Sequence, residues 1–317
     1  MDNGPGVVSV DEARGLDMSL GKNISEHEHQ RVLECCVDVP SEEPSFPIHL
    51  GEVGISNKTV WARLPEGLLP FTARLTVDLP SNLRGIHMSR MEEVISSLYG
   101  LEFNNLPDYA VALVREVIDH QDGKTGLVNL QGKMPVLRET SVPGKPSLDT
   151  IDLEVEVEVG KEKGTVAVVR VMLGVGVNHI TVCPCTQAYN RVLFESEAQP
   201  CPLPSHSQRS FTQLRIETDG ELPPYAEILK CLESALHVTQ DLLKRRDEAE
   251  IVLKSHRHPQ FAEDAVRETA LTAGKMFGGK LADETRIYIE SISLESIHIH
   301  DVTCRLVTTL REVTGKK

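Results

Sequence analysis

A chain of 317 residues exceeds the size at which one core usually stops growing, so two packed modules are expected. A formal net charge of -14 disfavours a general binder of nucleic acid or of anionic membranes, and any basic site has to be a local one. The seven cysteines lack the spacing of a small disulfide framework, the start at Met1-Asp2-Asn3-Gly4-Pro5 lacks the apolar run of a signal peptide, and no window is apolar enough to cross a bilayer; a cytoplasmic protein without membrane contact is expected.

Residues 1–45 mix Gly, Pro, Asp and Glu with little periodicity and read as a weakly structured leader. Cys35-Cys36 with His27 and His29 reads there as an incidental cluster rather than a metal tract. From Phe71 to Leu79 apolar and polar residues alternate as in a half-buried strand, and Pro80 ends it. The loop Arg84-Gly85-Ile86-His87-Met88-Ser89-Arg90 leads into a helix with Met91, Val94, Ile95 and Leu98 at helical spacing. A second helix from Pro107 to about His120 sets Ala110, Leu113, Val114 and Val117 on one side. Residues 121–149, rich in Gly, Pro and Lys, read as a long loop. Leu153, Val155, Val157 and Val159 then alternate with Glu154, Glu156 and Glu158, the pattern of a strand with one buried and one wet face. Gly160 to Gly164 turns the chain, and Thr165 to Val177 returns as an apolar strand that delivers Cys183 and Cys185 at its end.

The second half repeats this order. A strand over Phe211–Glu217 precedes a helix from Pro223 to about His237, another helix starts at Pro259, and strands over Arg286–Leu294 and Asp301–Leu310 follow. Strand, helix, helix, strand, strand in each half predicts an α+β fold of antiparallel sheet with helices on one face.

Cys183-Pro184-Cys185 holds two thiols that an intervening proline keeps from pairing, so a metal or a catalytic thiolate is one reading and two buried core cysteines the other. His206 lies in a polar loop with Gln208 and Arg209, and His206 and Arg209 are an imidazole and a cation of the kind that stabilise a thiolate. Lys244-Arg245-Arg246-Asp247-Glu248 reads by itself as a solvated charge run. Glu263 flanks the apolar stripe of the helix starting near Pro259, a position expected to be partly buried and therefore to require a partner. In Glu295-Ser296-Ile297-His298-Ile299-His300-Asp301 an extended chain puts both imidazoles on one side with acids at each end, which suits metal binding or acid–base work.

These motifs, in this order from Val53 to Leu310, resemble type IB GTP cyclohydrolase I, including its archaeal branch. The resemblance implies a tunnelling fold built as two tandem modules, here 46–182 and 183–317, in a homotetramer that opens the guanine imidazole ring of GTP at the first step of pterin (folate-type) synthesis. It implies one divalent metal ion per site (iron, manganese or zinc) held by Cys183, His206, Glu248 and Glu295. By the same resemblance Cys185 is expected to be the essential thiol and His298 and His300 to serve proton transfer, with Cys183 counted among the catalytic groups. The resemblance makes Glu263 the expected guanine anchor, accepting the N1–H and 2-amino donors, and His87, Arg90, Arg209, Lys244 and Arg245 the expected cationic pocket for the triphosphate. Thr186-Gln187 departs from the Ser-Lys that follows the second thiol in bacterial members. A long 121–149 segment resembles the archaeal branch, whose product is a cyclic phosphate of dihydroneopterin rather than the triphosphate. The alternative reading is a metal-free tunnelling-fold relative, either a purine or pterin binder or a 7-deazaguanine nitrile reductase.

Overall fold

The computed structural model describes residues 24–194, 202–241 and 244–315. Eight strands lie in one antiparallel sheet in chain order: β1 (Leu50–Leu64), β2 (Gly67–Leu79), β3 (Thr125–Arg138), β4 (Ser147–Glu162), β5 (Thr165–Val182), β6 (Ser207–Thr218), β7 (Arg286–Ser293) and β8 (Val302–Thr309). The helices among the described residues are α1 (Glu26–Cys35), α2 (Met88–Leu98), α3 (Leu106–Asp119), α4 (Pro184–Leu193), α5 (Tyr225–Ala235), α6 (Arg245–Arg257), α7 (Ala262–Phe277) and α8 (Leu310–Thr314). The fold is α+β, and no described helix is long and apolar enough to cross a membrane.

Period-two alternation builds the core. Val77, Val128, Val155, Val157, Val175, Leu214 and Ile289 point to the helix-covered face and are buried against α2, α3, α5 and α7. The opposite face of β4, expected to be wet, is instead laced with polar contacts. Glu154 is buried and accepts hydrogen bonds from Asn129 (3.0 Å), Gln131 (3.1 Å), Gln213 (2.9 Å) and Arg215 (2.8 Å). A buried carboxylate persists there because four donors replace its water.

Three expectations are corrected. Residues 121–149 are not a loop, since β3 runs through them from Thr125 to Arg138 and β4 begins at Ser147. Gly126, Gly132 and Pro135 obscure the strand in sequence, yet Val128, Leu130 and Met134 alternate inward. The turn between β4 and β5 is shorter than five residues: Glu162 pairs with Thr165 across Lys163-Gly164, both with positive φ (49° and 81°), the two-residue geometry whose twist matches that of the strands. Finally, the leader expected to be weakly structured holds a full helix within residues 24–45. Ser25 caps α1 by accepting from the Glu28 N–H, although α1 buries no residue, and Pro40 then accepts from the Arg84 and Gly85 N–H groups.

Antiparallel pairing throughout gives the sheet two ends. Leu79, Thr125, Glu162, Thr218 and Arg286 mark one; Leu64, Arg138, Ser147, Val182, Ser207, Ser293 and Val302 mark the other. β5 pairs with β4 as far as Gly176 and with β6 as far as Val182, so one sheet spans both halves of the chain.

Candidate active site

The second end gathers most of the chemistry-bearing residues. Cys183 does not end a strand passively but caps α4, whose first residue, Pro184, has the fixed φ and missing N–H suited to that position. The Cys183 N–H donates to the His206 carbonyl (3.2 Å), the Ser205 hydroxyl donates to the Cys183 carbonyl (2.6 Å), and the Thr186 hydroxyl lies 3.7 Å from the Cys183 sulfur. Cys183 is half-buried and Cys185, one residue into the helix, is exposed; both are free thiols. Gln187 is buried and donates to the carbonyls of Leu203 (3.1 Å) and His256 (2.8 Å), so the Thr186-Gln187 pair ties α4 down.

His206 enters β6 half-buried with Nδ1 3.1 Å from Gln208 Oε1. Gln208 in turn donates from Nε2 to Glu295 Oε1 (3.1 Å), and the Ser293 hydroxyl donates to the same oxygen (3.0 Å). Beyond Glu295 the chain is not extended. Residues 296–300 bend, and the bends still put the imidazoles side by side, His298 and His300 stacked at 5.2 Å and 19°, with His298 6.4 Å from His206 edge to face. Arg209 is exposed beside His206, its carbonyl accepting from the Leu294 N–H (2.9 Å).

Other candidates stand apart. Lys244, Arg245 and Glu248 are exposed at the start of α6, where the neighbouring Asp247 accepts from the Ser141 N–H (2.8 Å) and lines a cleft with Arg138 and Lys254. The charge run is thus the first turn of a helix facing the β3–β4 connection. His87 and Arg90 begin α2, after β2 has reached the first end of the sheet. His87 exchanges hydrogen bonds with Gln121 and Arg90 donates to the His120 carbonyl (3.1 Å). Within one chain the five expected triphosphate cations therefore do not form one pocket. Glu263, expected to be partly buried, is exposed in the first turn of α7, because the stripe of Ala262, Ala265, Val266 and Thr269 turns it outward. Arg267 pairs with Asp264 (3.5 Å) instead. Glu263 lies near β8, where burial and then the Glu263 charge push the Cys304 thiol up.

Cys183, His206 and Glu295 supply sulfur, nitrogen and oxygen donors of suitable chemistry around one corner. Among the described residues, however, no three His, Cys, Asp or Glu side chains close on a common point, and Glu248 is exposed in the first turn of α6. The donor set fits a transition metal in kind, and the single chain leaves it incomplete.

The profile described as type I GTP cyclohydrolase folE2 matches residues 36–304. The chain belongs to this family. The GTP cyclohydrolase MptA 2 of Methanocella arvoryzae is 30% identical over 299 residues, covering 86% of this chain and 96% of the relative. The GTP cyclohydrolase MptA of Methanococcus aeolicus is 27% identical over 306 residues, covering 88% and 98%. Among solved structures, a uricase from Arthrobacter globiformis aligns with a TM-score of 0.49 at 9% identity, covering 82% of this chain and 94% of that one. Two parts of the corner were not singled out by residue type: Gln208 as a link, and the buried hydroxyls Thr181, Ser210 and Ser293 beneath it. Their signal is a hydroxyl at successive inward positions of β6 and β7 where an aliphatic residue is expected.

Proposed function

We propose that this corner carries the GTP cyclohydrolase reaction as in the type IB branch: water adds to C8 of the guanine, the imidazole ring opens, formate leaves, and the ribose rearranges to give 7,8-dihydroneopterin triphosphate or, with diphosphate as a further leaving group, 7,8-dihydroneopterin 2′,3′-cyclic phosphate. The observation that carries the reading is the meeting of Cys183, Cys185, His206, Glu295, His298 and His300 at one sheet end in a chain of this family. A divalent iron, manganese or zinc ion on Cys183, His206 and Glu295, with Glu248 as a further candidate, would supply a water nucleophilic near neutral pH.

The chain's own groups divide the remaining work. Cys185, exposed at the start of α4, is placed to act on the opening ring, and the stacked His298–His300 pair is suited to moving protons to and from the ring nitrogens and the ribose. Glu263 accepts the guanine N1–H and 2-amino hydrogens, a pairing adenine does not offer. Arg209, Lys244 and Arg245 take the phosphates together with His87 and Arg90. The last two lie at the opposite sheet end, which supports a homotetramer of tunnelling-fold chains, each of two modules (46–182 and 183–317), in which His87 and Arg90 of one copy serve the corner of another. The protein acts in the cytoplasm.

Turnover of GTP, followed by pterin fluorescence with each metal supplied in turn, tests the reading. Cys183→Ala should lose both metal and turnover; Cys185→Ala should lose turnover and keep metal. Full activity in both variants would remove the corner from the reaction.

A further inference from the structure

We infer that Gln208 is a positioning residue that fixes His206 in its Nδ1–H tautomer and tethers Glu295, backed by a buried hydroxyl ladder across β5, β6 and β7. Its place in turnover rests on the reading above, whereas the tautomer does not.

The assignment follows from what each atom is able to give. A carboxylate has no proton to donate, so the Gln208 atom 3.1 Å from Glu295 Oε1 is the amide nitrogen. The amide oxygen then faces His206 Nδ1 at 3.1 Å, and an amide oxygen only accepts. In its neutral form His206 therefore carries its proton on Nδ1 and keeps Nε2 as the electron-pair donor, the atom left to bind a metal. An imidazole side chain free in water prefers the opposite form, with the proton on Nε2, so the contact imposes a state that solution does not favour.

The amide is itself held. The Gln208 Nε2 lies 3.3 Å from the Ser293 oxygen, whose own proton goes to Glu295 Oε1 at 3.0 Å. Ser210 donates to Ser293 (3.2 Å), and Thr181 lies 2.8 Å from Ser210 and 3.1 Å from Ser293. Thr181, Ser210 and Ser293 are each no more than 1% exposed, so water does not compete for these bonds. The acceptor-only carboxylate at one end sets the direction of the chain: Ser210 gives to Ser293, Ser293 gives to Glu295, and Gln208 has no rotation of its amide that satisfies both neighbours except the one described.

Long-range proton–nitrogen correlation spectra of the full chain, labelled with nitrogen-15 at histidine and free of metal, read the tautomer directly, with His206→Gln assigning the signal. The expected wild-type spectrum, taken at a pH where the His206 ring is neutral, has a protonated Nδ1 and a bare Nε2. Gln208→Met should move the proton to Nε2, while Gln208→Glu, still an acceptor toward His206, should keep it on Nδ1. Both variants should lower GTP turnover about 10-fold to 100-fold, the range for loss of a residue that orients a ligand. A wild-type His206 with its proton on Nε2, an unchanged tautomer in Gln208→Met, or full turnover in that variant overturns the proposal. If Gln208→Met does not fold, the wild-type and Gln208→Glu spectra decide. A correct tautomer in a wild-type chain that does not turn over GTP defeats the functional reading and leaves the tautomer assignment standing.

Discussion

Glu263 and the cysteines show how much a single side chain's surroundings decide. Glu263 is exposed on α7 and makes no side-chain hydrogen bond or ion pair among the described residues, so Glu263→Gln should change folding stability by less than about 0.5 kcal/mol. If it anchors guanine in the assembled enzyme, the same substitution turns an acceptor into a donor facing a donor, at a cost on the order of 2 to 4 kcal/mol, or roughly thirty-fold to a thousand-fold in GTP binding or turnover. Wild-type kinetics in this variant would take guanine recognition away from Glu263. The thiols separate as clearly. Cys231 is fully buried, and burial pushes it up to about 12, whereas Cys35, Cys36 and Cys185 are exposed. A thiol reagent on the native protein should label Cys35, Cys36 and Cys185 and reach Cys231 only on unfolding; labelling of Cys231 at the rate of Cys185 would contradict its burial.

At the scale of elements, β5 depends on residues that it lacks. Gly174 and Gly176 leave room for side chains of β6 to lie across the strand: a Cβ on Gly176 would stand 2.4 Å from Phe211 Cζ. Gly176→Ala should therefore destabilise the protein by about 1 to 3 kcal/mol, and an unchanged denaturation midpoint would show that Phe211 moves freely aside. Strands were legible in sequence where one face is aliphatic and the other charged, as in Leu153–Val159 and Phe211–Glu217. β1 was not, because much of its length is exposed and only its end buries Val60, Ala62 and Leu64. α4 and α6 were hidden for different reasons. Pro184 was read only as a spacer between thiols although it also opens a helix, and the charges of α6 mask any periodicity over a helix that buries only Ser255. The thiols, imidazoles and acids of the corner were legible by type. The hydroxyl ladder was not, since serine and threonine in a strand read as surface residues until their neighbours are known.

For the whole molecule, acid is the predictable stress. His179 is fully buried with its Nε2 2.7 Å from the Thr212 hydroxyl, and burial holds it down to about 4, from an ordinary value of 6.5. The unfolded chain takes up this proton near the ordinary value and the folded chain does not, so stability is full above about pH 6.5 and falls as pH drops toward about 4, by on the order of 3 kcal/mol. His237, lowered chiefly by burial, acts in the same direction. Glu154, whose hydrogen bonds to Asn129 and Arg215 lower it against the opposing effect of burial, extends the loss below the ordinary carboxylate range. Denaturant midpoints at about pH 7.5 and about pH 5 should differ accordingly, and His179→Phe should flatten the slope between them. An unaltered slope would mean that His179 is reached by protons in the folded state. The order of the sheet has a consequence for how the chain is made. Strands one to eight along the sequence are strands one to eight across the sheet, so on the ribosome each emerging strand meets a partner already synthesised, and the growing edge is always the newest segment. Only the connections that carry α2 with α3, α4, and α5 to α7 interpose a wait. During those three pauses the growing edges are β2, β5 and β6, the moments at which a nascent chain of this family is most open to pairing with a neighbour on the same messenger.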